Sequence, residues 1–199
     1  MVMFMNNFTH WLLPVKDRIL ELLDSRERVI VSFDGRSAAG KSTAAELLAA
    51  ELDGEVIHMD DFFLPPDLRT DERLAQAGGN VHYERFAAEV LAGLESGEPF
   101  DFRVFDCSVM DYGSSLTAGL KPLTIIEGAY SMHPCFGHYF DLAVFFDIDP
   151  EEQKRRILNR NGAEKLNAFT QRWIPMEERY IAAFGIMNRC SMVIKGDIL

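Results

Sequence analysis

Gly35-Arg36-Ser37-Ala38-Ala39-Gly40-Lys41-Ser42, with Thr43 behind it, fits G-x-x-x-x-G-K-[ST] and limits what this chain can become more than any other stretch. Its setting is the one the pattern requires. Val29-Ile30-Val31-Ser32-Phe33 before it reads as a buried strand, and Ala44-Ala45-Glu46-Leu47-Leu48-Ala49-Ala50 after it as a helix. Gly35 and Gly40 let the backbone curl until successive N–H groups face one anion, and the helix N-terminus adds its dipole. The stretch Gly35–Thr43 is therefore expected to hold the phosphates of a nucleoside triphosphate. Lys41 reaches the β- and γ-phosphates and the Ser42 hydroxyl ligates Mg²⁺.

A chain of 199 residues fits one domain, 1–199, with a full core. A net charge of −11 opposes a nucleic-acid partner, which asks for a basic surface. Cys107, Cys135 and Cys190 are odd in number and far apart, so neither a disulfide framework nor a zinc knuckle is suggested. Lys16, Asp17 and Arg18 interrupt the hydrophobic residues of the N-terminal region, and no stretch reaches the roughly 18 apolar residues of a membrane span. These features lead to the expectation of a cytoplasmic protein with no membrane partner.

Val15, Ile19, Leu22 and Leu23 recur at helical spacing behind Pro14, which suits a first turn, so residues 14–25 are expected to form an amphipathic helix. This N-terminal unit, residues 1–27, would pack on its own sheet or on a neighbour's, the latter giving a homo-oligomer. Glu55–Met59 reads as a second strand ending at Asp60-Asp61-Phe62-Phe63, where ligands bind in open α/β sheets. Residues 64–81, rich in Pro, Gly and charge, read as a long loop, and 64–122 as a substrate-side insertion. Within it, Tyr83–Leu94 is expected as a helix with Phe86, Val90 and Leu94 inward, and a strand pair between Gly97 and Pro122. Leu123–Ile126 and Asp141–Phe146 are further buried strands, Asp149-Pro150-Glu151-Glu152 caps a helix, and a last helix, Pro175–Met187, precedes the strand Met192–Ile194. Buried strands separated by helices give a P-loop three-layer α/β/α sandwich with a mainly parallel sheet.

Phosphoryl transfer needs positioning, charge neutralisation and an oriented nucleophile. Asp60, at a strand tip, is placed to accept the proton of an attacking hydroxyl, the bland alternative being a turn cap. Glu127 closes an apolar strand in a Walker-B-like arrangement that would support Mg²⁺, with a simple surface carboxylate as the alternative. Arg155, Arg156 and Arg160 precede Asn161-Gly162 as an arginine-bearing lid would, over about 155–172, although a basic run is usually a solvated face. His133, Cys135 and His138 supply three soft ligands but lack the fourth that a structural zinc wants. Phe136, Tyr139 and Phe140 beside them read as packing beneath the sheet.

Gly35–Ser42, His58-Met59-Asp60-Asp61-Phe62-Phe63, Phe105-Asp106, Ile126-Glu127-Gly128 and Arg155–Arg160 together resemble the uridine kinase family of P-loop nucleoside kinases, in family order from Val29 to Ile194. The resemblance implies ATP and Mg²⁺ as cofactors and a small-molecule acceptor, the 5′-hydroxyl of uridine or cytidine. It implies Asp60 as base, Lys41 and Ser42 on the ATP phosphates and metal, Glu127 supporting the metal, and Arg156 and Arg160 in the lid. Phe63 and Phe105 would stand beside the nucleoside, with Asp106, His82 and Tyr83 as further substrate contacts. His82 and Tyr83 have capping and packing as their ordinary alternative. The acceptor side departs from the family at Asn80-Val81-His82-Tyr83-Glu84, which lacks the expected Asp, and at Cys107 and Met110, where an aromatic and a His would stand. Asp60–Phe63 followed by Pro65 is also similar to nicotinamide riboside kinases. Kinases of that nucleoside, of pantothenate or of a sugar phosphate are thus the alternative enzymes, and a regulatory nucleotide switch the alternative class.

Overall fold

The computed structural model describes residues 2–196, with side chains described from His10 onward. The chain runs α1 (Val2–Leu23), β1 (Val29–Gly35), α2 (Lys41–Glu51), β2 (Glu55–His58), α3 (Asp71–Ala75), α4 (Tyr83–Phe86), α5 (Ala92–Ser96), β3 (Phe100–Asp106), β4 (Asp111–Ala118), β5 (Leu123–Glu127), β6 (Leu142–Asp147), α6 (Pro150–Ala168), α7 (Ile174–Phe184), α8 (Ile186–Arg189) and β7 (Met192–Lys195).

Five strands form a parallel sheet in the order β2-β5-β1-β6-β7. Both faces of such a sheet are covered, which is why its strands read as continuous apolar runs. Successive residues serve opposite faces. Val31, Phe33, Ile125, Val144 and Phe146 pack on α1 and α2, whereas Ile126, Ala143 and Phe145 meet Phe62, Phe86, Val90, Tyr180 and Ile186 on the other side. The result is the three-layer α/β/α sandwich that the sequence predicts.

The N-terminal helix differs from its expected form. It begins at Val2, so Pro14 lies inside it rather than in its first turn. Proline there removes one backbone bond, and the helix carries on with Leu12, Val15, Ile19 and Leu22 buried against the sheet. The expected last helix is also two, α7 and α8, parted at Gly185 with φ 59.

The segment 64–122 is more structured than its composition suggests. Pro66–Leu68 makes a 3₁₀ turn, α3 follows behind a Thr70 cap that accepts from the Arg73 N–H, and Val81 bridges to Phe63. Helices α4 and α5 join through a π-helical turn, Ala87–Leu91, into the continuous helix expected from Tyr83; Phe86 and Val90 are buried and Leu94 half-buried. The hairpin of β3 and β4 is the expected strand pair, and it leans on this helix at Gly93, where a Cβ would sit 2.2 Å from the Phe100 ring. Asp149 caps α6 as expected, accepting from the Glu151 and Glu152 N–H groups. Among the described residues no helix is long and apolar enough to cross a membrane.

Asp34 ties three of these parts together. Its buried carboxylate accepts from the Gly35 N–H at 2.6 Å, the Tyr130 and Met132 N–H groups at 3.3 and 2.9 Å, and the Tyr180 hydroxyl at 2.7 Å. Burial pushes its pKa up, against the pull of the Tyr180, Met132 and Gly35 bonds and of Lys41. Asp34→Ala strands several buried donors at about 1–3 kcal/mol each, so urea unfolding is expected to show a loss of at least about 3 kcal/mol. A loss under about 1 kcal/mol would mean that water satisfies these groups.

Candidate active site

The loop after β1 is fixed by close contact. Gly35 has φ 130, and a Cβ there would stand 2.2 Å from the Phe146 carbonyl oxygen, so the backbone of β6 leaves room only for glycine. Ala38 at φ 62 and Gly40 at φ 97 complete the curl into α2. Lys41 is buried and donates from Nζ to the Gly35 and Arg36 carbonyls at 3.0 and 2.8 Å. Ser42 and Thr43 begin the exposed side of α2.

A cavity of about 350 Å³ opens beside this loop, lined by Ser37, Ala38, Lys41 and Ser42 on one side and by Asp60, Phe63 and Glu127 on another. Strand register explains the meeting. Glu127 at the tip of β5 lies level with Phe33 of β1 and His58 of β2, and the 3₁₀ turn Met59–Phe62 that follows β2 carries Asp60. Glu127 and His58 share a hydrogen bond at 2.6 Å, which raises the His58 pKa. Asp60 is open to solvent from the cavity yet recessed among protein atoms. Desolvation in that recess and the Glu127 charge raise its pKa, while Lys41, His58 and Arg160 oppose the rise.

The segment from α6 into α7, expected to form the lid, sits on the P-loop at both of its roots. Gln153 of α6 donates to the Ser37 carbonyl at 3.0 Å, and Arg156 donates to the Ala38 carbonyl at 3.3 Å and the Gly196 carbonyl at 2.5 Å. Arg156 thus lies outside the cavity lining, held also by Glu152, whose carboxyl Arg155 and Arg156 draw down to about 2. At the far root, Glu177 of α7 accepts from the Ser37 N–H at 3.0 Å and from the Ser37 hydroxyl, and Glu178 pairs with Arg36 at 2.6 and 2.9 Å. Between the roots α6 breaks at Gly162, φ 81, and Arg160, Lys165, Phe169 and Trp173 face the cavity.

Four of the six residues expected to contact the acceptor lie outside the cavity lining. Tyr83 stacks on His133 at 5.0 Å with Arg73 3.6 Å above its ring, and the half-buried His82 meets the Tyr112 hydroxyl at 3.4 Å. Phe105 is buried against Tyr112, and Asp106 is exposed and accepts from Ser108 in the hairpin turn. His133 is occupied by packing and by the Cys135 N–H and Ala77 carbonyl, and among the described residues no group of three or more His, Cys, Asp or Glu is placed to hold a metal. In their stead the cavity draws Arg69, Asn80, Cys107, Met110, Tyr130 and Glu177. Cys107 and Met110 stood out by departing from a pattern. Glu177 carried no local signal, since it serves a loop distant in sequence.

This parallel sheet, its glycine loop and the helices on both faces make a P-loop α/β/α sandwich. No protein-family model matches the chain. A curated pantothenate kinase of Streptomyces avermitilis is 27% identical over 166 residues, which cover 70% of this chain and 50% of that protein, so the chain spans about half the length of that relative. Among solved structures, a candidate fructose transport system kinase from Silicibacter sp. TM1040 superimposes with a TM-score of 0.71 at 22% identity, over 92% of this chain and 98% of the other. A possible uridine kinase from Bacillus stearothermophilus gives 0.63 at 20% identity, over 91% and 99%.

Burial holds the Glu177 carboxyl above its ordinary value of 4.5, against Lys41 and the Ser37 bonds. An acid raised in the native state leaves stability untouched below its unfolded value, and lowers it as pH rises through the native one. Glu177→Gln removes this penalty and keeps an oxygen for Ser37. The variant is expected to gain in melting temperature relative to the parent as pH rises above 4.5. A difference independent of pH in thermal scans without nucleotide would contradict the raised pKa.

Proposed function

We propose that this protein is an ATP-dependent kinase that transfers the γ-phosphoryl group to a hydroxyl of a small metabolite in the cytoplasm, with residues 1–199 acting as one catalytic domain. The observation that carries the reading is that Lys41, Ser42, Asp60 and Glu127 line one cavity. A hydrolytic switch needs no second recess beyond its P-loop, and here Phe63, Asn80, Cys107 and Met110 wall one.

In this reading the N–H groups of the Gly35–Thr43 loop cradle the ATP phosphates, and Lys41 and Arg160 offset the charge that spreads over the transferring group. Asp60 orients the acceptor hydroxyl and takes its proton. Asp60 and Glu177 both feel Lys41, Asp60 also feels Glu127, and the Ser42 side chain lines the same cavity, so oxygen atoms of the kind a hard cation takes face the phosphate side. Ser42 and Glu127 would hold Mg²⁺, which when bound supplies charge neutralisation at the phosphates. Residues 64–122 contribute the acceptor wall and 155–172 the lid.

The resemblance to uridine kinases supports a ribonucleoside 5′-hydroxyl as acceptor, with Phe63 beside the base. The similarity to a pantothenate kinase supports a second reading, and the placement of Phe105, Asp106, His82 and Tyr83 outside the cavity favours it over the nucleoside.

Asp60→Asn is expected to lower kcat by about 10²–10⁴-fold while ATP affinity, measured by calorimetry, stays within about twofold of the parent. Near-normal turnover with the responding acceptor would remove Asp60 from the role of base.

A further inference from the structure

Four arginines lie on the acceptor segment between residues 64 and 110: Arg69, Arg73, Arg85 and Arg103. Three are paired, Arg73 with Glu84 and both Arg85 and Arg103 with Glu89. Arg69 has no carboxylate among the described residues. Its Nε donates to the Leu64 carbonyl at 2.7 Å, and the N–H groups of its two terminal nitrogens meet no described acceptor. This half-buried guanidinium lines the cavity together with Lys165 of the lid, which is likewise without an ion-pair partner among the described residues.

Charge is divided across the cavity. Asp60 and Glu177 feel Lys41, and Asp60 also feels Arg160. Arg69 instead neighbours Cys107 and a second cation, Arg172, and burial lowers its pKa. A partly desolvated guanidinium without an anion is costly to maintain, and a planar fork of free donors is the group best suited to a carboxylate or phosphate. Asn80 adds a further polar demand. It is 5% exposed, lines the cavity, and its Oδ1 has no partner, so it asks for a hydroxyl or amide N–H from whatever binds.

We infer that the acceptor carries an anionic group, received by Arg69 and Lys165, while its hydroxyl faces Asp60 and a hydrogen-bond donor on it meets Asn80. The inference rests on the kinase reading and narrows the acceptor class. A hydroxylated carboxylate or a sugar phosphate meets these demands, a neutral nucleoside leaves the cations unanswered, and the cationic ring of nicotinamide riboside is repelled.

The test measures Mg·ATP-dependent ADP release with acceptors in matched pairs: pantothenate against pantothenol, and fructose 6-phosphate against fructose, with uridine and nicotinamide riboside alongside. At least one anionic member is expected to exceed its neutral partner and both nucleosides by tenfold or more in kcat/KM, and which pair responds distinguishes carboxylate from phosphate. Arg69→Ala and, on the exposed lid, Lys165→Ala are each expected to raise the KM for that acceptor about tenfold with little change in the KM for ATP, and Arg69→Lys to recover part of the loss. Lys165→Ala keeps the test open should Arg69→Ala fail to fold. A neutral or cationic acceptor served as well as the anionic ones, or variants with unchanged acceptor KM, would overturn the inference and leave the kinase reading standing. ADP release that no acceptor stimulates would overturn both.

Discussion

The arrangement of this molecule depends on one buried carboxylate. Asp34 is the second-last residue of β1, before the phosphate loop, and gathers donors from three separate pieces of chain: the loop's own first residue, the backbone after β5, and Tyr180 of α7. In a low-dielectric interior such bonds are strong, and their loss is correspondingly expensive. Two results follow for the cavity. Tyr130 is held at φ 76, a left-handed conformation uncommon for a residue with a side chain, and so lines the cavity wall. One turn before Tyr180, Glu177 is brought down onto Ser37. The loop after β1, the wall opposite and the far root of the α6–α7 segment thus share a single anchor.

What the sequence makes legible follows from how far each constraint reaches along the chain. A glycine whose Cβ would collide with a neighbouring carbonyl, a lysine at the helix start and strands of unbroken apolar residues are local signatures. The sandwich and the P-loop could therefore be read directly. The hairpin between Gly97 and Pro122 was also legible, but its packing on Gly93 was not, because that contact depends on where a helix with a π-turn directs its face. Pro14 misleads for a different reason: proline usually marks a first turn, and here burial of Val15, Ile19 and Leu22 outweighs its missing N–H.

The cavity wall away from the phosphate loop carries the weakest sequence signal. Aromatic and acidic residues at 82–83 and 105–106 look chemically apt, yet they serve the packing of the hairpin and of the His133 loop. Residues that do face the cavity, such as Arg69, Asn80 and Glu177, are ordinary in composition and gain meaning only from what surrounds them. Arginine is common on surfaces; what sets Arg69 apart is that its three fellows on the segment are neutralised and it is not. A pattern of absences of this kind has no sequence signature.

The two roots of the α6–α7 segment rest on the same short run, Arg36 to Ala38. A segment fastened at both ends to one spot is a closed loop, whose ends cannot drift apart however its middle moves. The entropy of bringing those ends together is already spent in the folded protein, so rearrangement inside the loop adds no closure cost. Displacement must be absorbed within the segment, where α6 is already broken at Gly162. Such a loop bends like a handle: its span can swing, while the distance between its attachments stays the same.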